Sequence, residues 1–79
     1  MRATSRGLNL VYLVDSFTGD GTTTGFTLTQ APYSSSEAML FVDGLFQSPT
    51  LYTITGTALS FTTAPAASTD ILVQYLRSN

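Results

Sequence analysis

An Asp-Gly pair between two short apolar runs constrains the fold of this chain more than any other feature. Residues 38–42 precede Asp43-Gly44, and residues 45–46 follow it. A two-residue type I′ turn needs a positive φ at both central positions, which Asp tolerates and Gly adopts freely. The pair therefore predicts a β-hairpin, and the second arm of that hairpin should end at Pro49 because proline cannot donate to a strand ladder.

Both faces of the first hairpin strand are apolar. Successive side chains of a strand point to opposite faces, so Ala38, Leu40 and Val42 share one face. Met39 and Phe41 share the other. This pattern predicts that the strand is covered on both sides, by its own core and by another layer.

Short β-runs separated by turn residues make up the rest of the chain. They are residues 8–14, 22–30, 51–55, 58–63 and 70–76. Such spacing predicts an all-β fold, a small antiparallel β-sandwich of immunoglobulin-like or barrel-like form with essentially no helix. The inward positions of the alternation give the expected core: Phe26, Leu28, Leu40, Val42, Tyr52, Ile54, Leu59, Phe61, Ile71, Val73 and Tyr75.

The N-terminal residues 1–15 are predicted to form an extended arm or strand ahead of a β-sandwich domain of residues 16–79. A helix over residues 8–14 is possible, but no capping residue precedes the run and a strand is favoured. A small domain cannot easily cover the apolar face of this run as well as both faces of the hairpin. We therefore expect the run to add a strand to a neighbouring subunit. Its apolar face comprises Leu8, Leu10, Tyr12 and Val14.

Charge is unusually scarce in this chain of 79 residues. Charged residues make up 10% of it and the net charge is −2, against about 25% charged residues in an ordinary soluble domain. The sequence lacks the clustered Lys and Arg that a nucleic-acid partner needs, and it has no apolar run long enough to cross a membrane. A surface so poor in charge favours burial in an assembly. The alternative is a soluble β-domain solvated by its Ser and Thr hydroxyls.

No residue pattern in the chain predicts catalysis, a metal site or a cofactor. His, Cys and Lys are absent, and they are the usual bases, nucleophiles and metal ligands. Asp15, Asp20 and Asp43 occur singly, in contexts typical of turns. A calcium site at Asp15 and Asp20 fits no known loop spacing, so plain turns are favoured. The four tyrosines either form a sugar-binding platform or pack in core and interface; they are Tyr12, Tyr33, Tyr52 and Tyr75.

A set of strand, turn and stop residues extends over about residues 16–76. The set reads Phe17-x-Gly-Asp-Gly21-x-Thr-x-x-Phe26-x-Leu28, then Phe41-Val-Asp-Gly-Leu-Phe-Gln47-x-Pro49-x-x-Tyr52-x-Ile54, then Leu59-x-Phe61-x-x-Ala-Pro65 and Ile71-x-Val73-x-Tyr75. It resembles a recurring module of tailed-bacteriophage virion proteins, which occurs in tail fibres and in short accessory proteins of head and tail.

The resemblance implies a non-enzymatic structural protein of the virion, a small accessory module of the capsid-decoration or cement type. The alternatives are a tail-fibre or tail-adaptor module, or a carbohydrate-binding β-module. A tail fibre of this kind continues into a shaft or a tip, whereas this chain ends at Asn79, so we expect decoration first. Expected partners are the major capsid or tail protein and copies of the chain itself, as a homotrimer. The expected interface comprises Arg2, Arg6, Leu8, Leu10, Tyr12, Val14, Met39, Phe41 and Phe46.

Overall fold

Seven strands form two antiparallel sheets in the computed structural model, which describes residues 10–78. One sheet has four strands in the order β1-β7-β3-β4, and the other has three in the order β2-β6-β5. This arrangement confirms the predicted small all-β, antiparallel fold. The strands are β1 (Leu10–Thr18), β2 (Gly25–Thr27), β3 (Met39–Val42), β4 (Leu45–Phe46), β5 (Tyr52–Thr55), β6 (Ala58–Phe61) and β7 (Asp70–Ser78).

The predicted hairpin is formed by β3 and β4. Asp43 has a φ of 52° and Gly44 a φ of 81°, both positive as a type I′ turn requires. Val42 pairs with Leu45 directly across the turn. The second arm is shorter than expected, because β4 ends at Phe46 and the chain then enters a 3-10 helix.

Two 3-10 helices correct the expectation of essentially no helix. They are Ser35–Glu37 and Pro49–Leu51. In the second helix, the Ser48 hydroxyl accepts a hydrogen bond from the Thr50 amide, and Pro49 occupies the first turn, where its missing N–H costs nothing. Each helix is a single turn, so the fold class is unchanged.

Strand β1 crosses the boundary that the sequence predicts between an arm of residues 1–15 and a domain of residues 16–79. Along its whole length it pairs with β7 of the same chain. Residues 10–15 therefore belong to the four-stranded sheet, and the strand expected to join a neighbour is added to the chain's own sheet. The part of the arm before Leu10 lies outside the described residues.

The core lies between the two sheets and agrees closely with the sequence expectation. Phe26, Val42 and Ile54, which were expected in the core, are half-buried against it. All three lie at margins: Phe26 and Ile54 on the two edge strands of the smaller sheet, and Val42 next to the hairpin turn. Among the described residues the buried hydrophobic ones are Leu28, Ala38, Leu40, Tyr52, Leu59, Phe61, Ile71, Val73 and Tyr75.

The turn after β1 is held to the loop before β7. The Gly19 amide donates to the Thr69 carbonyl, and the Gly19 carbonyl accepts from the Ser68 amide, both at 2.9 Å. A Cβ atom at position 19 would collide with the Ala66 carbonyl oxygen and the Thr69 hydroxyl. Glycine is therefore required here by the close approach of the two loops.

Candidate functional site

Apolar side chains make up most of the outer face of the four-stranded sheet, where the polar residues Ser16, Thr18, Asp70 and Gln74 also point outward. In β1 the odd-numbered side chains, such as Leu13 and Phe17, are half-buried against the core, and the even-numbered ones point outward. The same alternation in β3, β4 and β7 directs a second set of apolar side chains away from the core. We name this surface the apolar face and define it by Leu10, Tyr12, Val14, Met39, Phe41, Phe46, Leu72 and Leu76.

Strand register brings these distant residues together. Tyr12 lies opposite Leu76 in the ladder between β1 and β7. Phe41 of β3 lies opposite Leu72 on one side and Phe46 on the other. The rings of Phe41 and Phe46 meet edge to face, with centroids 5.8 Å apart, a favourable arrangement for an aromatic pair. Residues more than 60 positions apart in sequence thus form one surface.

The apolar face is large and uncharged. Tyr12 is 59% exposed, Phe46 is 56% exposed and Leu72 is 36% exposed. A strand rise of about 3.3 Å per residue and a strand spacing of about 4.8 Å give the face an area on the order of 500 Å². The largest apolar patch of a typical monomer is about 300–600 Å² and is often a binding surface. None of its eight residues carries a charge, so the face suits an apolar partner.

The outer face of the three-stranded sheet has the opposite character. Its outward residues are short and mostly hydroxylated, and they are exposed along all three strands. A hydroxyl group both donates and accepts hydrogen bonds and rotates to suit its neighbours, so water can satisfy the groups of this surface without a protein partner. We name it the hydroxyl face and define it by Thr27, Thr53, Thr55, Ala58 and Ser60.

A carboxylate fastens the inner side of β1 to the segment that follows β2. Asp15 accepts hydrogen bonds from the Thr29 amide at 2.8 Å, from the Thr29 hydroxyl at 2.7 Å and from the Tyr75 hydroxyl at 2.6 Å. The Tyr75 hydroxyl also accepts from the Gln30 amide at 3.2 Å. The expectation that Asp15 lies in a turn is wrong, because it is an inward-facing residue of β1.

These hydrogen bonds set the titration of the two partners. Burial alone would raise the pKa of Asp15, but the bonds from Tyr75 and Thr29 outweigh it and hold the pKa below its ordinary value. Burial, reinforced by the bond to Asp15, raises the pKa of Tyr75 above its ordinary value. Tyr75 therefore stays neutral and donates to an ionised Asp15, which makes the pair a structural clasp between sheet and loop.

Asp20 holds a local turn, and Asp43 joins the hairpin turn to the start of β7. Asp20 accepts from the backbone amides of Thr22 and Thr23 at 2.9 and 2.7 Å, and also from both hydroxyls. The bonds from Thr23 in particular hold the pKa of Asp20 far below its ordinary value. Asp43 accepts from the Asp70 amide at 2.8 Å, next to the hairpin turn. Within residues 10–78 no three acidic, His or Cys side chains come together in a way that could hold a metal ion.

Most of the expected interface residues lie on a single surface. Leu10, Tyr12, Val14, Met39, Phe41 and Phe46 are all members of the apolar face. Arg2, Arg6 and Leu8 lie outside the described residues. Leu72 and Leu76 were missed, since β7 was considered only for its inward residues. The signal was present, because β7 is apolar at even as well as odd positions from 71 to 76 except at Gln74.

The four tyrosines do not form a common platform. Tyr52 and Tyr75 are buried in the core, with exposed fractions of 6% and 1%, and burial raises the pKa of Tyr52. Tyr12 and Tyr33 are exposed. Both flank one position of β7, because Tyr12 pairs with Leu76 and the Tyr33 amide donates to the Leu76 carbonyl.

Comparison of the chain with protein-family models, with curated proteins and with solved structures finds no match. No helix in the described part of the chain is long and apolar enough to cross a membrane. Functional inference therefore depends on the two outer faces and on the sequence pattern.

Proposed function

We propose that this chain is a non-enzymatic structural module of a bacteriophage virion that docks on a larger virion protein through the apolar face. The observation that carries the proposal is the uncharged apolar surface on the outer side of the four-stranded sheet. The virion context comes from the resemblance of the strand and turn residues to phage head and tail modules. The role is that of a decoration or cement protein, which adds contacts to a shell that has already assembled.

The two outer faces support a docking role in one defined orientation. Leu72 is 36% exposed to water and Phe46 is 56% exposed. Burial is worth about 25 cal/mol for each Å² of apolar surface removed from water. A face on the order of 500 Å² therefore offers at most about 12 kcal/mol, which is of the same order as the cost of association, about 4–15 kcal/mol, so docking requires most of the face to be covered in one contact. The hydroxyl face offers no comparable gain, so it is the side that remains toward solvent.

A second observation supports docking by packing rather than by charge steering. The chain has three Arg and five acidic residues, and none of them belongs to the apolar face. Association driven by such a surface depends weakly on salt, because ionic screening acts on charges and not on apolar burial. High-salt washes should therefore leave the module on the particle.

The test is incorporation into virions of the phage that encodes the chain. We expect mass spectrometry of purified particles to find the chain at a fixed ratio to the major capsid or tail protein. Leu72→Glu places a charge in the apolar face and should lower that ratio at least about tenfold, which corresponds to about 1.4 kcal/mol of lost affinity. Ser60→Glu is the matched control, since it places the same charge on an inner strand of the hydroxyl face and should incorporate normally.

Two results would contradict the proposal. One is the absence of the chain from purified particles that contain all other expected proteins. The other is equal incorporation of Leu72→Glu and Ser60→Glu when circular dichroism shows that both variants are folded. An electron density map of the particle would place the chain on head or tail and so separate the decoration role from the tail-adaptor role.

A further inference from the structure

One edge of β1 presents backbone groups that have no partner among residues 10–78. Backbone N–H and C=O groups of successive strand residues point alternately to the two neighbouring strands. On the β3 side of β7, the Asp70 carbonyl accepts from Asp43 and the Leu76 carbonyl accepts from Tyr33. The backbone N–H and C=O groups of the even-numbered residues of β7 thus point toward β3, and those of the odd-numbered residues point toward β1.

The pairing of β1 with β7 then fixes which residues of β1 face the open edge. The odd-numbered residues of β7 lie opposite the odd-numbered residues of β1. The odd-numbered residues of β1 therefore make the backbone hydrogen bonds to β7. The N–H and C=O groups of Leu10, Tyr12 and Val14 point away from β7. Within residues 10–78 none of these backbone groups has a hydrogen-bond partner.

The far end of this edge is also poorly supported by the chain's own sheet. The ladder of β3 with β7 ends at Gln74, whereas the ladder of β1 with β7 continues to Ser78. Beyond Gln74 the sheet is a two-stranded ribbon, secured on the β3 side by the bond from Tyr33 to Leu76. An isolated two-stranded ribbon is at best marginal in water; here Tyr75 and Leu13 anchor the ribbon to the core through its inner face only. A third strand on the β1 side would stabilise this one.

Residues 10–14 of β1 carry none of the features that discourage such pairing. Natural edge strands are protected by Lys, Pro, bulges, inward-pointing charges or short length, and the one charged residue of β1, Asp15, lies just beyond this segment. The nine residues of β1 contain no Lys and no Pro, and their register with β7 is unbroken. Residues 10–14, Leu-Val-Tyr-Leu-Val, are apolar on both sides of the strand.

We propose that two copies of this chain pair through β1, antiparallel and edge to edge, to form one continuous eight-stranded sheet. Pairing centred on Tyr12 places Leu10 opposite Val14 of the second copy and Val11 opposite Leu13. Every pair formed by residues 10–14 in this register is apolar. Moving the axis by one residue, from Tyr12 to Leu13, would bring Asp15 opposite Val11 and so oppose a carboxylate to an apolar side chain.

A second copy is the occupant that best matches this edge. An uncharged apolar strand needs an uncharged apolar partner, and an antiparallel copy of residues 10–14 supplies one. A two-fold axis through Tyr12 closes the assembly at two chains, because each copy then uses residues 10–14 of its open edge. This pairing predicts a dimer in place of the homotrimer expected from the sequence. It also joins two apolar faces side by side, which doubles the docking surface without covering it.

The first experiment measures the mass of the purified full chain by sedimentation or light scattering. We expect twice the chain mass of 8.4 kDa. Tyr12→Pro removes an N–H that points to the open edge and takes no bond from the ladder with β7, so the variant should stay folded. Its dimer dissociation constant should rise at least about tenfold, since both copies lose an edge hydrogen bond.

Tyr12→Thr is the matched control, because it removes the same ring and keeps the N–H. It should remain a dimer. A monomeric or trimeric parent chain overturns the inference. So does equal dissociation of the Pro and Thr variants, which would assign the contact to ring packing on the apolar face. Neither result bears on incorporation of the chain into virions, so the two proposals fail separately.

Cysteine cross-linking tests the register without any need to break the dimer. The chain has no Cys of its own. In the proposed register Tyr12→Cys brings two Cα atoms about 5.5 Å apart, a separation that a disulfide spans. Val14→Cys is the control, since its two copies would lie about 13 Å apart along the strands. Rapid oxidation to a covalent dimer at position 12 and not at position 14 is expected, and the reverse pattern overturns the register.

Discussion

The two sheets of this protein have similar inner faces and contrasting outer ones. Leu40 in one sheet and Leu59 in the other are both fully buried. On the outside, the four-stranded sheet carries Phe, Tyr, Leu and Met, while the three-stranded sheet carries Thr, Ser and Ala. Folding requires only the inner faces to be apolar. The apolar outer face is therefore not required to form the core of the isolated chain.

The apolar residues of this chain are of two kinds, those in the core and those on the apolar face, and the composition does not distinguish them. The chain is 43% hydrophobic, but part of that fraction lies on the apolar face and contributes little to its own core. The same substitution should therefore change the free energy of unfolding much more in the core than on the apolar face.

The largest expected effect is that of Phe61→Ala compared with Phe46→Ala. Phe61 is 9% exposed and packs on Phe26 with ring centroids 5.7 Å apart. Its truncation should cost about 3–5 kcal/mol. Phe46 is 56% exposed, and its truncation in the isolated chain should cost under about 1 kcal/mol. Thermal unfolding followed by circular dichroism measures both, and equal melting temperatures would mean that the inner and outer faces are not distinct.

The next effect concerns the glycine that lets the turn after β1 approach the loop before β7. Gly19→Ala places a Cβ against the Ala66 carbonyl and the Thr69 hydroxyl, and should cost about 1–3 kcal/mol through the forced shift of the backbone. Gly25→Ala is the control, because a Cβ there meets no atom within 4 Å. Chemical denaturation of the two variants should separate them clearly. A Gly19→Ala variant as stable as Gly25→Ala would show that the two loops are not held together.

A smaller effect is expected from the clasp beneath the four-stranded sheet. The pKa of Asp15 is lower in the folded chain than its ordinary value of 3.8. Its stabilisation is therefore fully present above that pH and is lost as the pH falls through the folded pKa. Asp15→Asn should cost about 1 kcal/mol at neutral pH, a low figure because the carboxylate is partly in water.

The difference in unfolding free energy between Asp15→Asn and the parent chain should disappear as the pH falls through the lowered pKa of Asp15 and the parent carboxyl becomes protonated. Denaturant unfolding over a pH series measures this convergence. Tyr75→Phe removes one of the hydrogen bonds to Asp15 and should show a weaker form of the same pH dependence. If the difference in unfolding free energy between the parent and Asp15→Asn stays constant at all pH values, the ionised carboxylate of Asp15 is not the source of the stabilisation.

The smallest effect on stability is expected at the outer faces themselves. Leu72→Thr makes the apolar face resemble the hydroxyl face and should change the free energy of unfolding by no more than about 0.5 kcal/mol. Binding of an apolar dye by the folded chain should fall, since less contiguous apolar surface is exposed. Ser60→Thr on the hydroxyl face should change neither quantity. Unchanged dye binding by Leu72→Thr would mean that the apolar face is not the exposed hydrophobic surface.

Local signals in the sequence were sufficient for the hairpin and for most of the core. Asp43-Gly44 has few alternatives to a type I′ turn, and alternation identified Leu59, Phe61, Ile71 and Val73 as buried. Strand ends were harder to predict. Residues 22–24 do not join β2, because the carboxylate of Asp20 binds the amides of Thr22 and Thr23 and holds the chain in a turn. That competition between side chain and backbone leaves no mark in the hydrophobic pattern.

The candidate site was predicted in part. The run ending at Val14 and the outward side of the hairpin were recognised as surplus apolar surface, but they were assigned to an arm and to a separate strand. Only the pairing of both elements with β7 makes them one surface. Asp15 was read as a turn residue, because an Asp after an apolar run resembles a strand end. Its partner Tyr75 lies 60 residues away, beyond the reach of any local pattern.

The sequence by itself determined the fold class, the hairpin and which side of most strands faces the core. It could do so because turn chemistry and period-two alternation act over a few neighbouring residues. Only the tertiary structure decided that β1 lies beside β7, that the outward residues of four strands form a single apolar face, and that one edge of β1 stays open among the described residues. These features depend on the order of strands in a sheet, and that order is set by the summed packing of the whole core rather than by any segment of the chain.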